Sequence, residues 1–141
     1  MQEVRAADPL FFLLLETASA LQERLEDALM AVGLSRARME ALDQLVRAGK
    51  PVSLRLLAEG QHCVPSNMTT LIDRLESEGL VCRVDDPSDR RSVRAALTPL
   101  GEERAAAGAR VVAQLQDEFA ERLSPVERAA LAQVLTALRR A

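Results

Sequence analysis

Between Gly79 and Thr98 the apolar pattern of this chain changes period, and that change limits the folds open to it more than any other feature. On either side, apolar residues recur at steps of three and four, the spacing of one helix face. Leu80–Val84 and Val93–Leu97 read instead as two short strands. They are joined by Asp85-Asp86-Pro87-Ser88-Asp89-Arg90-Arg91-Ser92, which has Pro, Ser and charges but no apolar residue. That connection is expected to be a solvent-exposed hairpin loop. The chain therefore reads as mainly α with one small β-hairpin.

The helix boundaries are marked by caps and prolines. Pro is favoured at the first helical position, just after a residue whose side chain accepts an orphan backbone N–H. Asp8-Pro9, Thr98-Pro99 and Ser124-Pro125 fit, and Ser124-Pro125-Val126-Glu127 is a capping box. Val64-Pro65 has the proline but a poor cap. From Pro9 a stripe runs through Phe11, Leu14, Ala18, Leu21, Leu25 and Leu29 and ends at Gly33. Leu10, Phe12, Leu13 and Leu15 make its first two turns apolar nearly all round, a surface that something must cover. Ser35 caps a second helix with Met39, Leu42, Leu45 and Val46 inward and Gly49 as its stop; Lys50-Pro51 then breaks the chain. Ser53 caps a short third helix, Leu54 to Glu59, and Gly60 to Val64 forms a turn. Pro65 opens a fourth helix with Met68, Leu71, Ile72 and Leu75 on one face, closed by Gly79. A long helix from Thr98 carries Val111, Val112, Leu115 and Phe119, and a last one from Ser124 carries Val126, Leu131, Val134, Leu135 and Leu138.

With 141 residues and no internal repeat or linker, one domain over 1–141 is expected. The only aromatics are Phe11, Phe12 and Phe119, so the core must be Leu, Val and Ala, which suits packed helices. Cys63 and Cys82 are too few for a disulfide framework, and Leu10 to Leu15 is too short for a signal peptide or a membrane span. A cytoplasmic protein with no membrane contact is expected. Enzyme chemistry is not: there is one His, no nucleophile elbow and no phosphate-cradling Gly loop. No cofactor or metal is expected, since His62-Cys63 alone lacks further ligands at suitable spacing.

A short helix, a tight turn and a second helix followed by a hairpin form a winged helix-turn-helix. Such a unit sets its second helix in the DNA major groove and extends the hairpin along the backbone to the minor groove. On the fourth helix Ser66, Asn67, Thr69, Thr70 and Arg74 lie off the apolar stripe. Ser66, Asn67 and Thr70 suit base edges, while Thr69 and Arg74 could equally hold phosphate. Arg74 has an alternative, an ion pair with Glu78 at i+4. In the hairpin, Arg90 and Arg91 suit phosphate and minor-groove contact. Asp89 can accept from the Arg91 guanidinium and hold it extended. The bland alternative is a solvated, charged turn.

From Leu57-Ala58 through Gly101 the sequence resembles the multiple-antibiotic-resistance-regulator (MarR) family. The match runs through Met68-Thr69-Thr70-Leu71-Ile72-Asp73-Arg74-Leu75-Glu76, Gly79-Leu80-Val81, Asp86-Pro87-Ser88-Asp89-Arg90-Arg91-Ser92 and Leu97-Thr98-Pro99-Leu100-Gly101. The wing pattern Asp-x-x-Asp-Arg-Arg is its most specific part. The resemblance implies a homodimeric repressor or activator, with a repressor favoured, on pseudo-palindromic double-stranded DNA, whose grip responds to a small-molecule effector. Residues 35–98 would form the DNA-binding lobe, and 8–33 with 99–141 the dimerisation helices. It also implies effector binding among the first, second and fifth helices, where Phe11 and Phe12 are the aromatic candidates, with core packing as their plainer role. Two departures stand out: Val64 replaces the usual Ser or Asp, and no Gly accompanies His62, so an irregular turn is expected there.

A net charge of −3 and five arginines against six acidic side chains in residues 60–98 argue for modest non-specific affinity, set by where the arginines sit. The competing reading is a winged-helix protein-interaction module. The cysteines are expected to be quiet, with Cys63 a small buried hydrophobe and Cys82 on either face of its strand.

Overall fold

A computed structural model describes residues 9–140. Six helices and three strands follow one another: α1 (Pro9–Met30), α2 (Arg36–Ala48), β1 (Val52–Ser53), α3 (Leu54–Gly60), α4 (Pro65–Ser77), β2 (Val81–Asp86), β3 (Asp89–Leu97), α5 (Pro99–Glu121) and α6 (Pro125–Arg139). The expected cap at Asp8 lies outside the described residues.

The other caps form as their chemistry dictates. The side chains of Ser35, Ser53 and Thr98 accept from Arg38, Leu56 and Gly101 N–H, and Ser124 with Glu127 closes a reciprocal capping box. Val64 makes no side-chain cap. The end of α4 is a Schellman turn: Leu80 N–H donates to Leu75 C=O and Gly79 N–H to Glu76 C=O, both at 2.9 Å, with Gly79 at φ 78°. That turn feeds the chain directly into β2.

The sheet order is β1-β3-β2, all antiparallel. Two features differ from the sequence reading. The two-residue strand β1 pairs Val52 with Ala95 and Ser53 with Arg94, a pairing too short to leave a periodic signal. The hairpin is also longer than expected. Strands run to Asp86 and resume at Asp89, with a register shift between Asp85 and Asp86. Only Pro87 and Ser88 turn, so Arg90 and Arg91 lie on a strand and not in a loop. Backbone pairing across the ribbon requires no apolar side chain, which is why composition misplaced its ends.

The core gathers Leu29, Leu34, Met39, Leu42, Leu45, Leu57, Met68, Ile72, Leu75, Leu80 and Val81 where α1, α2, α3, α4 and the sheet converge. Val46, expected inward, is 51% exposed, one position past the buried stripe of α2. Gly101 lets α5 pass over the start of β2, since a Cβ there would drive into the Leu80 carbonyl oxygen. The turn before α4 is irregular, with His62 at φ 52°. Cys63 is only partly buried and its thiol donates to Val64 C=O at 3.3 Å; Cys82 is exposed.

The apolar ends remain uncovered. Phe11 and Leu13 are each 58% exposed and Val126 is 78% exposed, while α6 buries none of its residues. Among the described residues no helix is long and apolar enough to cross a membrane, and no cluster of His, Cys, Asp and Glu could hold a metal ion.

Candidate nucleic-acid interface

Helix α4 is held by its back. Met68, Ile72 and Leu75 are fully buried at steps of four and three, which fixes the roll of the helix. The opposite side is therefore obliged to face out, and Ser66, Asn67, Thr69, Thr70 and Arg74 are all exposed. The Thr69 and Thr70 hydroxyls donate to Pro65 and Ser66 C=O, each at 3.1 Å. Their protons are thus used within the helix, leaving methyl groups and oxygen lone pairs available to a partner. Asn67, Thr70 and Arg74 share a cleft of about 660 Å³ with Met30, Ser35 and Arg38, at the corner between α1 and α2.

The wing projects Asp89, Arg90 and Arg91, all exposed, from the start of β3. Asp89 does not hold the Arg91 guanidinium as expected. Its Oδ1 accepts from the Arg91 backbone N–H at 3.0 Å, a local turn that leaves the side chain of Arg91 without an ion-pair partner among the described residues. At the tip, Asp86 Oδ1 accepts from the Ser88 hydroxyl at 2.7 Å and from its N–H at 2.9 Å. The Ser88 hydroxyl first, and its N–H second, hold the Asp86 carboxyl below the usual range, because both favour the ionised form.

Most of the acidic residues of the lobe are engaged within the protein. Arg83 on β2 binds Asp73 and Glu76, and Arg38 on α2 pairs with Glu78 at 2.7 Å. The hydrogen bond from Asp73 raises the Arg83 pKa further above its already high value, with Glu76 adding to the effect. Glu78 is therefore the partner of Arg38 and not of Arg74: the C-terminal turn of α4 directs it toward α2. Among the described residues Arg74, Arg90 and Arg91 have no carboxylate partner within ion-pair distance. Sequence reasoning passed over Arg38 and Arg83. The available signal was the i, i+3 pair Asp73 and Glu76, two acids on one face of a helix next to a strand carrying a lone Arg.

Phe11 and Phe12 pack edge to face, centroids 5.6 Å apart, on the exposed start of α1. They are 58% and 50% exposed, so they are not core within one chain. A cavity of about 460 Å³ lies between α2, β3 and α5, lined by Met39, Val46, Lys50, Pro51, Leu97 and Ala105 among others.

Comparison with known proteins converges on one family. The MarR family model matches residues 34–93. The HTH-type transcriptional regulator YkoM of Bacillus subtilis (strain 168) is 37% identical over 71 residues, half of this chain and less than half, 46%, of that protein. A mutant MarR from E. coli, solved with operator DNA, is 25% identical with a TM-score of 0.78, covering 92% of this chain and 93% of that one. CouR from Rhodococcus jostii, solved with p-coumaroyl-CoA, is 26% identical with a TM-score of 0.75, covering 93% and 92%. In matched sequence over residues 34–93 and in near full-length fold, the chain is similar to MarR-family regulators.

Proposed function

We propose that the chain is a DNA-binding transcriptional regulator, a repressor, that occupies pseudo-palindromic operators as a homodimer in the cytoplasm and is released by a small-molecule effector. It performs no catalysis. Residues 35–98 are the DNA-binding lobe, and 8–33 with 99–141 form the dimer. Ser66, Asn67 and Thr70 read base edges in the major groove. Thr69 and Arg74 hold flanking phosphates, and Arg90 and Arg91 reach the minor groove, with Asp89 fixing the backbone beneath them.

One observation carries this reading. Five of the six carboxylates in residues 60–98 are engaged by arginines, N–H groups or a hydroxyl, while Arg74, Arg90 and Arg91 have no carboxylate partner among the described residues. An acidic chain can thus present a cationic face, consistent with the operator complex of the E. coli relative. For the dimer, the support is the uncovered apolar start of α1 and the whole of α6: each buried Leu or Val would contribute about 1.5–3 kcal/mol. For the effector, the cavity between α2, β3 and α5 is suited, because an occupant would bear on the angle between the lobe and the dimer helices. The bound p-coumaroyl-CoA of CouR sets a precedent for a small-molecule ligand.

Selection of bound duplexes from a random pool, with purified protein at moderate salt, tests the reading. Enrichment of a pseudo-palindrome with half-sites about one helical turn apart is expected. A pool that stays random at every round would sink it in favour of a protein-interaction module.

A further inference from the structure

We propose that Arg83 is the residue that sets where the wing delivers Arg90 and Arg91 relative to α4. The inference rests on the DNA-binding reading above and gives a part in it to a side chain engaged within the protein. Arg83 makes three contacts to one face of α4. Its backbone N–H donates to Glu76 Oε2 at 3.0 Å, Nη1 to Glu76 Oε1 at 2.8 Å, and Nη2 to Asp73 Oδ1 at 2.5 Å. Both oxygens of Glu76 are thereby held by one residue. Asp73 and Glu76 lie three apart, so both reach β2 from one side of α4, with Asp73 beside Thr69 and Thr70 on the helix surface and Glu76 one turn farther on. The planar guanidinium fork fixes direction as well as distance, which a Lys ammonium would not.

The register shows why this position matters. Arg83 pairs with Ala95, and Ala95 in turn pairs with Val52, so Arg83 sits where the sheet is still three strands wide. Beyond Ser53, Arg94 and Val84 only two strands continue to the tip. An isolated two-stranded ribbon is marginal by itself. The five residue steps from Arg83 to Ser88 span roughly 16 Å at strand rise. A swing of about 10° at the base would move the tip by roughly 3 Å over that length, about one hydrogen-bond distance. Clamping the base to α4 converts two separate readers into one rigid tool. The same contacts neutralise two carboxylates on the helix that approaches DNA.

A double-mutant cycle on affinity for the selected duplex tests this. Arg83→Met should raise the Kd about tenfold, and Arg83→Lys should recover only part, since charge returns but the fork does not. In an Asp73→Asn/Glu76→Gln background, Arg83→Met should cost less than about twofold, because the groups it acts through are gone. Full additivity would overturn the proposal, pointing to a direct phosphate contact. Hydroxyl-radical footprints give a readout that general destabilisation would not: Arg83→Met should lose protection under the wing while keeping it under α4. Even loss across the site would also overturn it. If Arg83→Met does not fold, Arg83→Lys carries the same cycle and footprint. Wild-type protein that binds no duplex would remove the DNA reading itself, whereas tight wild-type binding with an additive cycle removes only the role of Arg83.

Discussion

Arg91 shows how much a single backbone contact can decide. Because Asp89 accepts from its N–H and not from its guanidinium, the side chain has no ion-pair partner among the described residues. Arg91→Ala should weaken operator binding by about tenfold or more and reduce the salt slope by about one, with the dimer intact by light scattering; unchanged affinity would remove the minor-groove role. At the tip, Asp86 is held ionised by Ser88, so its pKa in the folded chain lies below the unfolded value. That contribution is fully present above the usual aspartate range and is lost as the pH falls through the lowered folded value. The Ser88 amide resonance should therefore report loss of the turn only at strongly acidic pH, and Asp86→Asn should abolish that titration. His62 carries a different cost, a left-handed φ of 52° on a residue with a Cβ. His62→Gly should raise stability by about 1 kcal/mol in urea melts, since relief of strain outweighs the added freedom of the unfolded chain.

Among the elements, α5 is the one whose packing depends on missing side chains. At Gly101 a methyl group would meet the Leu80 carbonyl, which is rigid backbone in the Schellman turn that launches β2. At Gly108 it would meet the Met39 sulfur and a Leu34 methyl, the ends of side chains that can yield. Gly101→Ala should therefore cost about 3 kcal/mol or more and Gly108→Ala clearly less, measured by the same melts. Most elements were legible because their signals are local: a cap, a proline, a glycine, or a stripe at helical spacing is written in consecutive residues. The exposed face of α4 was legible for the same reason, since Met68, Ile72 and Leu75 fix its roll. What escaped is non-local. Strand β1 exists through two pairings to residues more than forty positions away, and the tip ends of the wing strands through the single pairing of Asp86 with Asp89. Arg38 and Arg83 found their acids across elements, so spacing offered only the Asp73 and Glu76 pair and could not name the arginine that meets it. Val46 and the Arg74–Glu78 pairing failed similarly, because a helical wheel places residues by angle and tertiary contacts decide which neighbour wins.

Taken as a whole molecule, the chain is divided between a well-packed lobe and apolar helical ends that it cannot bury alone. Leu13 on α1 is 58% exposed and Leu138 on α6 is 53% exposed. Leu13→Glu combined with Leu138→Glu should yield a folded lobe with a concentration-dependent loss of the dimer in sedimentation, and with it a loss of operator affinity. The account's central claim is that two copies read two half-sites together. Fluorescence anisotropy titrations of one labelled palindrome and one labelled half-site, at the same salt, test it most directly. Two chains per palindrome, with the half-site bound at least about a hundredfold more weakly, is the predicted result. Equal affinity for the two duplexes, or one chain bound per palindrome, would contradict it.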